Sequence, residues 1–125
     1  MYINYNPNPH AARVGDCVIR AICKALNQEW EKTYIDLCVY GLISGDLPSA
    51  NAVWGRYLKD KGYKRKMIPD TCPCCYTVED FEKEHKQGVY ILALNGHVVT
   101  VESGNHFDTW DSGTETPVYY WTKEG

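Results

Sequence analysis

Residues Val89-Tyr90-Ile91-Leu92-Ala93-Leu94 form a nearly continuous apolar run of strand length. Such a run predicts a central strand with both faces covered, because a strand with one wet face would alternate polar and apolar residues. Asn95-Gly96 then reads as a turn, and His97-Val98-Val99-Thr100-Val101-Glu102 as the next strand. Ser103-Gly104-Asn105-His106 turns again, 107–111 is the hairpin partner, 112–117 is a loop, and 118–121 is a last strand. The sheet therefore occupies about 89–121.

The first half of the chain reads as helix. Gly15-Asp16 leads into Cys17, with Ile19, Ile22, Cys23 and Leu26 on one face at spacings of three and four. Asp16 is the expected N-cap, its carboxylate accepting first-turn N–H groups. A second helix covers about 29–40, with Trp30, Tyr34, Leu37 and Cys38 on a stripe and Gly41 as its C-cap. A third, about 50–61, is capped by Ser49 and turns Val53, Trp54, Tyr57 and Leu58 inward. Thr77-Val78-Glu79-Asp80 is a capping-box pattern opening a short helix to about 86. Residues 1–14, with Asn-Pro at 6–7 and 8–9, read as an ordered lead-in that is not helical. The expected architecture is α+β in one domain, 1–125: helices over about 16–61, a short helix over 77–86, then an antiparallel sheet.

Totals narrow the function classes. The formal net charge of -3 does not suggest nucleic acid as a partner. No apolar run approaches the roughly 20 residues that span a bilayer, so no membrane is expected. The first residues carry no basic region followed by an apolar block, so the expected location is cytoplasmic. The six cysteines then read as thiols rather than bridges. The basic residues of 56–66 read as a solvated helix end followed by an edge strand. Cys72-Pro73-Cys74-Cys75 crowds three cysteines with no second ligand pair, and His85 completes a set only by folding back. That does not match structural-zinc spacing, so neither metal nor cofactor is expected. A small zinc protein built on Cys72, Cys74 and Cys75 is the rival reading.

Cys17 is the residue with the most chemical promise. At the first position of a helix, the dipole and unpaired N–H groups favour a thiolate and can hold a developing oxyanion. A thiol nucleophile also needs an imidazole to move its proton and a third group to fix the imidazole tautomer. His97, at the head of a strand, is the natural imidazole. Asp108 and Asp111 compete for the third place. If Gly104-Asn105 is the turn pair, His97 faces position 112 and Asp111 faces Val98. Asp108 would face Val101, roughly 13 Å up the strand at about 3.3 Å per residue. Asp111 is therefore expected to orient His97, with Asp108 pointing to the turn or the flanking helix or supporting the wall of the site. Trp110 is expected to shield the His97–Asp111 bond from water. The oxyanion donors expected are the Cys17 backbone N–H and the Asn8 side chain.

The stretch Val14-Gly15-Asp16-Cys17-Val18-Ile19-Arg20-Ala21-Ile22 resembles the nucleophile helix of papain-like cysteine peptidases, in particular small bacterial and phage-borne papain-like proteins. Its Asp16, Arg20 and Ala21 are also similar to ovarian-tumour-type deubiquitinases. Gly96 to Val101 followed by Phe107 to Ser112 resembles the histidine and Asp/Asn strands of the same superfamily, including the bacteriocin-leader peptidases. The resemblance implies a papain-like fold, with Cys17 as nucleophile, His97 as base and Asp111 as orienting acid. It implies a thiol hydrolase acting on a peptide or isopeptide bond of a peptide or protein substrate. An acyltransferase, an amidase or an inactive binding module on the same fold are the alternatives. No glutamine precedes Gln28, so the glutamine that this superfamily places before its cysteine has no counterpart here.

Overall fold

The computed structural model describes residues 1–124. Ten elements follow one another: β1 (Tyr2–Asn4), α1 (Cys17–Leu26), α2 (Trp30–Ser44), α3 (Asn51–Asp60), β2 (Lys64–Met67), α4 (Val78–Glu84), β3 (Val89–Leu94), β4 (His97–Glu102), β5 (Asn105–Asp108) and β6 (Pro117–Thr122). The architecture among the described residues is α+β, four helices with a six-stranded open sheet in the order β1-β5-β4-β3-β6-β2. The sheet is mixed, because β1 runs parallel to β5 while the other pairs are antiparallel.

Alternation along the central strands decides which core each residue joins. Ile91, Ala93, Val98 and Trp121 pack with Ala21 and Ile22 of α1, Leu37 of α2, and Trp54, Tyr57 and Leu58 of α3. Tyr90, Leu92, Leu94, Val99 and Val101 turn the other way, onto Val78 and Phe81 of α4. With both faces buried, β3 has no solvent side, which is why its sequence does not alternate. The basic strand β2 lies at one edge, where lysine and arginine discourage further pairing.

Several expectations are corrected. The lead-in contains a strand, β1, whose three residues pair with β5. Its shortness and the prolines after it hide it from pattern reading. Helix α2 continues through Gly41 to Ser44 and ends on Gly45 in the left-handed conformation. Gly41 is instead a close-packing site, since a Cβ there would lie 2.8 Å from the Asp46 carbonyl oxygen. The N-cap of α3 is Ala50, not Ser49, and no side chain caps it. The Thr77–Asp80 capping box is present as expected. Cys72 and Cys75 form a disulfide, contrary to the expectation of thiols throughout, while Cys17, Cys23, Cys38 and Cys74 are free. No helix among the described residues is long and apolar enough to cross a membrane.

Candidate functional site

Cys17 opens α1, and the helix lies across β4, tied to it by a hydrogen bond from Thr100 Oγ1 to the Ala21 carbonyl at 2.6 Å. His97 is the first residue of β4 and Asp108 the last of β5, so both side chains stand at the end of the sheet beside the start of α1. His97 Nε2 meets Asp108 Oδ2 at 2.6 Å. Cys17 and His97 line the same cavity, and His97 is among the groups that pull the Cys17 thiol down. With Nε2 engaged by the carboxylate, Nδ1 is the ring nitrogen left for the sulfur.

The acid that meets His97 is therefore Asp108, and the expectation of Asp111 is corrected. The reason is register. Ser103 and Gly104 both have positive φ, 53° and 77°, and form the tight turn, so β4 and β5 pair as Glu102 with Asn105, Val101 with His106 and Thr100 with Phe107. β5 ends at Asp108, directly after this last pair, so Asp108 is the acid held by the sheet near the head of β4. Asp111 lies beyond the strand, and its Oδ1 meets His106 Nε2 at 2.7 Å. His106 is buried, and its Nδ1 meets Glu82 Oε2 at 2.8 Å, so Asp111 belongs to a second cluster linking β5 to α4.

The other expected residues also find definite places. Trp110 is 41% exposed and packs on the His97 ring with centroids 4.9 Å apart, covering the His97–Asp108 bond. Asp16 does not cap α1 through its side chain. Its carboxylate instead accepts from Arg20 Nη1 at 2.6 Å and from Trp30 Nε1 at 2.9 Å. A buried guanidinium outcompetes backbone N–H groups for a carboxylate. Asn8 is not among the residues lining the cavity at Cys17; its side-chain oxygen accepts from the His10 N–H at 2.8 Å and closes a turn.

Sequence reasoning passed over three residues. Arg20 donates to Asp108 Oδ1 at 2.9 Å, and Ser112 Oγ donates to Asp108 Oδ2 at 2.8 Å. The signal for Arg20 was present, since an acid and a base four apart on a helix face each other. The third is Asn51, on the wall of the cavity that contains Cys17 and His97. Trp54 Nε1, a donor only, bonds Asn51 Oδ1 at 3.1 Å and so fixes which end of the amide is the acceptor. The Asn51 NH2 remains as a donor on that wall.

This cavity holds about 270 Å³ and is walled by Gly15, Ser49, Gly96 and Tyr119 as well. A second, more apolar one of about 160 Å³ shares Gly15, Val18 and Ser49 with it and runs beneath Tyr34, Leu37, Cys38 and Pro48. A Cβ on Gly15 would meet nothing within 4 Å.

The electrostatics of the three central groups follow from these contacts. Burial pushes the Cys17 thiol up. The hydrogen bond and charge of His97, a bond with the Val98 backbone and the charge of Arg20 pull it down further, so it lies below its ordinary value. Burial pushes His97 down, but its bonds to Asp108 and Cys17 and their charges raise it to about 9. Burial likewise pushes Asp108 up, and the His97 bond and charge, Ser112 and the Thr109 N–H outweigh it, so its carboxyl lies below the usual range. These directions favour the thiolate and the imidazolium over their neutral forms relative to the free side chains, and a thiolate with an imidazolium in one cavity can attack an acyl carbon and protonate a leaving group. Comparison with protein-family models, curated proteins and solved structures finds no match to this chain.

Proposed function

We propose that the chain is a thiol hydrolase that cleaves a peptide or isopeptide bond through an acyl-enzyme on Cys17. What supports this reading is that Cys17 and His97 line one cavity while His97 Nε2 meets Asp108, with the thiol lowered and the imidazole raised by their surroundings.

The Cys17 thiolate attacks the carbonyl carbon, forming a C–S bond and moving the π electrons onto oxygen. The Cys17 backbone N–H at the start of α1 and the Asn51 amide supply donors for that oxyanion. The oxyanion collapses, the C–N bond breaks, and His97 gives its proton to the departing amine. Neutral His97 then takes a proton from water as the hydroxide portion adds to the thioester. Collapse of this second adduct releases the carboxylic acid and restores the thiolate and imidazolium. Asp108 fixes the His97 ring with Nε2 toward itself throughout and does not need to take a proton.

The test is acyl-enzyme capture. The chain is mixed with fluorogenic peptide and isopeptide-linked lysine substrates, quenched in acid and weighed intact. A mass increase on Cys17, absent from Cys17→Ala and accompanied by release of the amine, is the expected result. Release of amine at equal rates from wild type and Cys17→Ala would refute the reading.

A further inference from the structure

Arg20 follows Cys17 on α1 and is 4% exposed. The reaction proposed above needs a thiolate, an imidazole and a carboxylate, and assigns no role to a guanidinium. Burying one carries a heavy desolvation penalty unless good geometry offsets it. Here Nη1 meets Asp16 at 2.6 Å and Nη2 meets Asp108 at 2.9 Å. Both acids are themselves buried, and Trp30 Nε1 holds the other oxygen of Asp16. The fork thus ties the residue before Cys17 to the acid that meets His97.

The Asp108 carboxylate shows what this achieves. Its Oδ1 accepts from Arg20 and from the Thr109 N–H at 2.8 Å, and its Oδ2 accepts from His97 and Ser112. With two partners on each oxygen, the group cannot rotate without losing some of them. A planar guanidinium can face two carboxylates at once, whereas an ammonium is a single point charge.

We propose that Arg20 is a positioning residue of the Cys17 site: its fork clamps Asp16 and Asp108 and fixes the oxygen presented to His97. The inference rests on the hydrolase reading, because it gives Arg20 a role in the ion pair on which that reading depends. The titratable groups around Arg20 are Asp16 and Cys17 at the start of α1, His97 from β4, Asp108 from β5 and Tyr5 from the N-terminal segment.

The experiment follows iodoacetamide alkylation of Cys17 against pH in the full chain, with circular dichroism to verify folding. Arg20→Met is expected to alkylate at least about tenfold more slowly at pH 6, equivalent to a midpoint raised by about one pH unit. Arg20→Lys, which keeps the charge but loses the fork, is expected to fall between it and wild type. Folded Arg20 variants with the wild-type profile would overturn the inference. Should neither variant fold, Asp16→Asn decides, since its single acceptor oxygen can serve Arg20 Nη1 or Trp30 Nε1 but not both, which weakens the Asp16 arm of the clamp. Its expected signature is a lowered NMR titration midpoint for His97, because Arg20 is then neutralised by one carboxylate instead of two; an unmoved midpoint overturns the inference. The two readings fail separately. A wild-type Cys17 that titrates as an ordinary thiol sinks the hydrolase reading, whereas a lowered wild-type profile matched by the Arg20 variants sinks only this one.

Discussion

Replacing Asp108 by asparagine should disable Cys17 by turning His97 around. The amide of asparagine has one acceptor and one donor end. Arg20 and the Thr109 N–H both donate to the Oδ1 side and require the acceptor there. The NH2 must then face His97 Nε2, which can only accept from it, so the ring proton moves to Nδ1. A ring with its proton on the sulfur side cannot take one from the thiol. The size of the effect follows from His97 itself. Its rise from 6.5 to about 9 corresponds to about 3 kcal/mol in favour of the imidazolium. Asp108 is the first of the groups that raise it, so its loss removes the main support of the imidazolium and with it of the thiolate; a thiol returned to the free value near 8.5 is less than about 1% ionised at pH 6. The assay is the rate of Cys17 alkylation by iodoacetamide from pH 4 to 10. Asp108→Asn should show a midpoint at or above the free-thiol value near 8.5. Asp111→Asn, which touches His106, should keep the wild-type curve. The reasoning is refuted if Asp108→Asn alkylates like wild type at pH 6, or if Asp111→Asn produces the loss instead.

Turnover should follow a bell in pH: the acid limb reports protonation of Cys17 below its ordinary value, and the alkaline limb reports loss of the His97 proton near 9. An alkaline limb near 6.5 would contradict this assignment. Thr100→Val should cost about 1 kcal/mol in urea unfolding, because it removes the 2.6 Å bond between β4 and α1 at a fully buried site. Gly15→Leu should fold with stability within about 0.5 kcal/mol of wild type and still react with iodoacetamide. Its side chain enters open space at the wall shared by both cavities, so hydrolysis of peptide substrates should fall. Unimpaired peptide hydrolysis in that variant would place the substrate elsewhere.

The elements carrying strong local pattern were legible. The apolar run of β3, the inward face of α3 and the capping box of α4 each follow from nearest neighbours in sequence. What escaped was set by tertiary choices. The turn falls at Ser103-Gly104 rather than Gly104-Asn105 and β5 ends at Asp108, so Asp111 leaves the ladder and Asp108 is the acid that meets His97. Asp16 stands at the N-cap as read, but its carboxylate is taken by the buried Arg20 instead of the first-turn N–H groups. Gly41 looks like a helix stop until the chain at Asp46 and Pro48 packs against it. The pairing of β1 depends on a partner about a hundred residues away and leaves almost no trace in three residues. Cys17 and His97, by contrast, stood out because each begins an element, and beginnings are marked locally by glycine and turn residues.

The most direct measurement is the ¹⁵N NMR titration of the His97 ring in wild type and in Cys17→Ala. With a thiolate and Asp108 as neighbours, both ring nitrogens should carry protons at pH 7.5, with a midpoint about 9 that drops when the sulfur is removed. A His97 that is neutral at pH 7.5, with a midpoint near 6.5 that does not move in Cys17→Ala, would contradict the ion pair at the centre of the proposed chemistry.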